Sequence, residues 1–219
     1  MSECDFCNEF AGEPRNAFAS RYGSSLPDRV LMGIARFKVV PTLGQVVEGH
    51  LLIVPTDHYR ALADMPSEHI KRLEDICQLL RSTLQDVYGQ CVLFEHGVRS
   101  ALAGGCGIDH AHMHVVPVLA EGVLNVLTQQ LGGSQIQSLE EIRQELQEEQ
   151  SYLFFEDAFV KRYVFPVQSL PSQYMRKLVA ESIGKRDWDW RACGPESELV
   201  STVHRLLPLL SPVTSAHRE

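Results

Sequence analysis

His110-Ala111-His112-Met113-His114-Val115-Val116 places three imidazoles at period two along a run that closes on two branched apolar residues. In a β-strand successive side chains alternate faces, so the pattern predicts a strand with His110, His112 and His114 on one face and Ala111, Met113 and Val115 in the core. The three imidazoles then stand ~7 Å apart in a row. A neutral imidazole offers one lone pair and one N–H, and a protonated one offers two donors suited to phosphate oxygens. Such a row can attack and clamp a phosphate. The preceding Gly104-Gly105-Cys106-Gly107 turn can aim backbone N–H groups at the same anion, as nest-type phosphate sites do. A metal site, or three histidines meeting by accident on a solvated strand face, are the competing readings.

On the N-terminal side, Leu51-Leu52-Ile53-Val54 is a short apolar run of the buried-strand kind, stopped by Pro55. Thr56-Asp57-His58 follows, so His58 falls just past a strand. Residues 30 to 40 read as strands broken near Gly33, and Cys91 to Phe94 as another strand. Ile70, Leu73, Ile76, Leu80, Leu84 and Val87 recur at helical spacing, which predicts an amphipathic helix starting near Pro66 and lying across the sheet. From about Leu119 the texture changes to a short apolar helix, Gly132-Gly133, and a capping box at Ser138-Leu139-Glu140-Glu141 that opens a strongly acidic helix. Tyr152 to Phe155 and Val160 to Val167 read as a hairpin around Glu156-Asp157, while 172 to 183 and 197 to 210 read as helices. The pattern is α+β, with a boundary between 1–118 and an extension over 119–219.

A chain of 219 residues suits one core domain with an extension. Its hydrophobic fraction of 44% and charged fraction of 22% are those of an ordinary soluble globular protein. The net charge of -8 opposes a phosphate backbone, so a nucleic-acid polymer is not an expected partner. Met1 to Cys7 lacks the basic start and apolar stretch of a signal peptide, and no apolar run approaches the ~18 residues of a membrane-spanning helix. The expectation is a cytoplasmic protein without a membrane segment. In a reducing compartment six cysteines are thiols or metal ligands rather than a disulfide framework. Cys77, Cys91 and Cys193 have no partner at ligand spacing and read as buried thiols. Cys4-x-x-Cys7 supplies two soft ligands at zinc-finger-like spacing, and histidines must complete a four-coordinate site. A redox pair and two idle thiols are the alternatives.

The histidine run, together with Gly49-His50-Leu51-Leu52-Ile53-Val54-Pro55-Thr56-Asp57-His58, resembles the histidine-triad family, whose motif is His-x-His-x-His followed by two apolar residues. The similarity covers roughly residues 30 to 118. It implies a five-stranded antiparallel sheet with a helix across one face, to which an α/β C-terminal extension is added here. It also implies a homodimer made by joining sheets, as in many relatives. By the same resemblance His112 attacks an α-phosphorus and forms a nucleotidyl-histidine that water or another acceptor resolves. His114 would hydrogen-bond the phosphate or help protonate the leaving group, His110 would orient the strand, and His50 would be a structural hydrogen-bonder.

Three departures from the family pattern define candidate substrate contacts. Gly107, beside Cys106, stands where family members often place Ser or Thr, so the contact passes to the backbone amides of Gly105, Cys106 and Gly107. Glu95 replaces an Asn that touches substrate, and Thr42 stands where many members use Asp or Asn to hold the ribose hydroxyls. In zinc-containing relatives, including galactose-1-phosphate uridylyltransferases, the CxxC pair is joined by the histidine after the Val-Pro strand and by the first triad histidine. That implies a structural zinc on Cys4, Cys7, His58 and His110. Leu170 to Arg176 and Asp187 to Cys193 are similar to the end of CwfJ-like splicing-associated proteins, which would bring Arg176 or Arg191 within reach of a phosphate. The expected function is a nucleotide hydrolase acting on a phosphoanhydride or phosphoramidate. A nucleotidyltransferase of phosphorylase or uridylyltransferase type and a non-catalytic nucleotide-binding module are the alternatives.

Overall fold

The computed structural model describes residues 4–23, 25–99, 108–193 and 197–211. Two short helices, α1 (Asp5–Phe10) and α2 (Ala17–Tyr22), lead into β1 (Met32–Ile34), β2 (Phe37–Pro41) and β3 (Leu51–Pro55). Helix α3 (Ser67–Val87) follows, then β4 (Val92–Gly97) and β5 (Met113–Val116). The extension contributes α4 (Val123–Leu131), β6 (Ser134–Ile136), β7 (Ser151–Glu156), β8 (Arg162–Val167), α5 (Tyr174–Ser182) and α6 (Ser197–Leu210).

The strands form one antiparallel sheet in the order β1-β2-β3-β5-β4-β7-β8-β6. The expected five-stranded sheet is β1 to β5, but among the described residues the sheet has eight strands, because the extension adds β7, β8 and β6 outward from β4. Left as an edge, β4 would present a row of unpaired backbone groups beside strongly apolar side chains. Instead β7 pairs with it from Leu93↔Glu156 to Gly97↔Tyr152. The approach is close: a Cβ on Gly97 would lie 2.3 Å from the Tyr152 ring. The sheet therefore runs unbroken across position 118.

Period-two alternation divides the core between the two faces of the sheet. Leu51, Ile53, Leu93, Met113, Val115, Tyr152 and Phe154 join the larger cluster, which also takes the apolar stripe of α3, namely Ile70, Leu73, Ile76, Leu80 and Leu84. The stripe predicted by spacing is the buried one. On the opposite face Val92, Phe94, Val116, Leu153, Phe155 and Phe165 pack with α4 and α5. Farther along that face, Leu52, Val54 and Val40 pack against Cys4 and Phe6 of the N-terminal arm. A cleft opens on this side.

The extension is also tied to α3 by charge. Glu156 on β7, 3% exposed, pairs with Arg81 of α3 and with Arg162 of β8 at 2.6 Å, and Arg162 reaches Glu74 of α3 at 2.9 Å. Several local expectations are corrected. The break between β1 and β2 falls at Ala35-Arg36, where Ala35 takes φ 50°, and Gly33 lies within β1. The acidic segment Leu139–Glu145 is a 3-10 helix. There Glu141 accepts from the Gln137 N–H at 3.0 Å and from the Ser138 hydroxyl at 3.2 Å, so the capping side chain bonds outside the helix and seven residues end it. The three-residue strand β6 carries too short a pattern to be read from sequence.

Candidate active site

The triad strand is shorter than its sequence pattern. Regular pairing begins at Met113, so His110 and His112 lie on the approach to β5 and only His114 is within it. Ala111, Met113 and Val115 point into the core as expected. The histidines do not form one row with one task. His112 and His114 line the cleft, whereas His110 turns to the N-terminal arm.

At the arm, Cys4, Cys7, His58 and His110 bring one ligand atom each to within 4.8 Å of one another. Cys4 Sγ lies 3.3 Å from His110 Nδ1, and Cys7 Sγ lies 3.4 Å from His58 Nδ1 and 3.6 Å from His110 Nδ1. A tetrahedral ion with Zn–S of about 2.3 Å and Zn–N of about 2.0 Å has sulfur-to-nitrogen edges of about 3.5 Å, so these residues fit zinc. The tautomer agrees too. His110 Nε2–H donates to the Pro55 carbonyl at 2.9 Å, which leaves the Nδ1 lone pair facing the thiols. Burial pushes the Cys4 thiol up to about 11, so without a cation it stays protonated at neutral pH.

The same arm delivers Phe6 to the cleft. Its ring meets the imidazoles of His110 and His112 edge-on, each at 5.6 Å between centroids. His112 Nδ1–H donates to the His110 carbonyl at 2.7 Å, so the lone pair of His112 lies on Nε2. Burial pushes His112 down to about 4 and holds it neutral.

A second relay orients His114. The Val46 N–H reaches His50 Nδ1 at 3.4 Å, and His50 Nε2 meets His114 Nδ1 at 2.8 Å. Since His50 Nδ1 accepts from backbone, its Nε2 carries the hydrogen and donates to His114. His114 Nε2 therefore carries a hydrogen and is a donor. Burial lowers both residues well below the ordinary imidazole range, helped by the positive charge of Arg176. The Phe94 ring stacks on His114 at 4.3 Å and fixes its plane.

Residues 27–120 match the family model of the HIT domain. The chain carries a histidine-triad domain. The mouse CWF19-like protein 1 is 26% identical over 165 residues, covering 68% of this chain and 29% of that protein. That alignment is longer than the stretch matched by the domain model, so the likeness continues into the extension. The chain spans under a third of the length of the CWF19-like relatives it matches. An uncharacterized HIT-like protein of Borreliella burgdorferi is 29% identical over 75 residues, or 32% of this chain and 50% of that one. Among solved structures, a HIT-family protein from Bacillus subtilis overlaps 55% of this chain and 77% of its own, at TM-score 0.42 and 19% identity.

Around the histidine-triad domain the extension builds the far wall of the cleft. Arg176 of α5 is 3% exposed and lines the cleft with Trp190, Met175 and Gln173. It donates to the carbonyls of Trp188 (3.0 Å) and Gly44, and to Thr42 Oγ1 at 3.3 Å. Thr42 is thus in the cleft, beside a guanidinium. Arg191 is exposed, and its guanidinium stacks over Trp190 at 5.0 Å. Glu95 is elsewhere. It follows Phe94 on β4, so alternation sends it to the α3 face, where it accepts from the Leu62 N–H at 2.7 Å and the Tyr152 hydroxyl at 2.5 Å. The expectation that Glu95 meets substrate is corrected by that one-residue offset, and the next residue, His96, lines the cleft in its place. Gly105, Cys106 and Gly107 lie outside the described residues. Among those described, no helix is long and apolar enough to cross a membrane.

Proposed function

We propose that this protein is a nucleotide hydrolase that cleaves a phosphoanhydride or phosphoramidate at the α-phosphate through a nucleotidyl group on His112. The observation that carries the reading is the 2.7 Å bond from His112 Nδ1–H to the His110 carbonyl, which commits one nitrogen and leaves the Nε2 lone pair as nucleophile. His112 Nε2 forms a bond to phosphorus as the bond to the leaving group breaks, and the positive charge gained by the ring is stabilised by the His110 carbonyl. His114, fixed as an Nε2–H donor by His50, hydrogen-bonds a phosphoryl oxygen or the departing atom. Arg176 supplies the buried positive charge that an anionic ligand needs.

Cys4, Cys7, His58 and His110 would hold zinc in a structural role. A bound zinc would hold the two cysteines as thiolates, offset their charge and staple the arm to the catalytic segment, and no step of the reaction runs through it. The test is intact mass after brief incubation with adenosine 5′-phosphoramidate or a diadenosine polyphosphate, without acid quench, comparing wild type with His112→Gly. An adenylyl increment on wild type alone, with turnover lost by at least about 10³-fold in the variant, is the expected outcome. Turnover retained in His112→Gly would remove His112 as nucleophile. Delivery of the labelled nucleotidyl group to added phosphate or sugar phosphate would make the enzyme a transferase.

A further inference from the structure

Strand β4 pairs with β5 in the register Phe94↔His114. His96 lies two residues beyond Phe94 on the same face of β4, close enough to His112 for their charges to interact. His96 lines the cleft with His112 and His114. Its Nε2 is buried and has no hydrogen-bond partner among the described residues. A buried polar atom left open beside a reactive group is the position of one that meets a ligand.

The other imidazole nitrogens at the site are committed. His112 Nδ1–H is bonded to the His110 carbonyl, and its Nε2 would hold phosphorus in the nucleotidyl form. His114 Nδ1 accepts from His50, and its Nε2 carries hydrogen. His50 is bonded at both nitrogens, and His110 faces the thiols on one side and Pro55 on the other. Arg176 accepts no proton. Hydrolysis of a nucleotidyl-histidine nevertheless needs an acceptor for the proton of the attacking water.

We propose that His96 is the general base of that second step, an inference that rests on the covalent reading of His112. In its Nδ1–H tautomer His96 presents the Nε2 lone pair to the water. The water oxygen bonds to phosphorus while the bond from phosphorus to His112 Nε2 breaks, its electron pair returning to the ring, and the water proton passes to His96 Nε2. The resulting imidazolium gives its proton to bulk water as the nucleotide leaves. Burial lowers His96 to about 4, which keeps the lone pair available at neutral pH. The bound phosphate's negative charge favours the imidazolium once the proton arrives.

The test is a single-turnover time course with adenosine 5′-phosphoramidate that follows the adenylyl-protein mass in wild type, His96→Phe, His96→Asn and His96→Gly, each checked for a native-like thermal transition. The expected result is an adduct that forms within about 3-fold of the wild-type rate and decays about 10² to 10⁴-fold more slowly, so that it accumulates. In His96→Gly, added imidazole restores decay and leaves formation unchanged. Unaltered decay in a folded variant overturns the proposal, as does slowing of both steps by one common factor with no response to imidazole, which marks a packing role. If His96→Phe does not fold, His96→Asn carries the same comparison. A protein that turns over while neither wild type nor any folded His96 variant shows an adduct refutes the covalent reading instead, a failure distinguishable from that of His96, in which an adduct is seen and decays at the wild-type rate.

Discussion

Glu95 sits beneath the cleft, and burial pushes its carboxyl up from 4.5 to about 8, with Asp64 adding to the shift while the Tyr152 hydroxyl and the Leu62 N–H oppose it. Asp64 is itself held by Arg99 at 2.8 Å under β4. The folded protein holds a proton on Glu95 over a range in which the unfolded chain has released it. The stability attached to that proton is fully present below about 4.5 and is lost as pH rises through about 8. Glu95→Gln keeps the shape and removes the titration. Urea unfolding at pH 5 and pH 8 should show the variant gaining on wild type by a few kcal/mol at the higher pH. A gap between the two proteins that is the same at both pH values would show that Glu95 is ionised in the fold. At this same scale the sequence misleads by a single residue: Glu95 and His96 are both polar neighbours at a strand end, and nothing in composition says which faces the cleft. The alternation that decides it is anchored by Phe94 opposite His114.

Among the elements, the N-terminal arm shows how a short helix gains a fixed place. Six residues of α1 are too few to be stable alone. Phe6 is 1% exposed against Leu52 and Val54, and Cys4 and Cys7 meet His110 and His58. Cys4-x-x-Cys7 was legible as a ligand pair, yet alternatives stayed open until the fold brought two histidines from distant segments to it. The purified protein is expected to carry about one zinc per chain by elemental mass spectrometry. Cys7→Ser should lose it and cost about 2 kcal/mol, a fall in Tm of about 4–8 °C for a chain of this size. Since Phe6 touches both His110 and His112, the same variant should also bind nucleotide less tightly. A wild-type preparation from zinc-replete medium that holds no metal would leave the four residues as a hydrogen-bonded thiol and imidazole cluster.

For the whole molecule the decisive fact is that the extension is laid edge to edge on the triad sheet. Strand β7 occupies the outer edge of β4, the ion pairs of Glu156 and Arg162 fasten β7 and β8 to α3, and α5 sends Arg176 to the cleft. A homodimer made by joining sheets at β4 would have to displace β7. Residues 1–118 expressed alone should therefore expose β4 together with Val92 and Phe94, and associate or precipitate where the full chain does not, as light scattering after gel filtration would show. A monomeric, folded fragment would mean that the two parts are separable. By itself the sequence determined the α+β class, the buried stripe of α3, the hairpin of β7 and β8, and the histidines as the candidate site, because these follow from local periodicity and residue type. Only the tertiary structure decided that the sheet has eight strands, that His110 serves the arm while His112 and His114 serve the cleft, and that Arg176 and His96 replace Glu95 beside them. Those outcomes depend on which strand pairs with which and in what register, and pairing between segments far apart in the chain is set by the burial of shared faces, which no local pattern records.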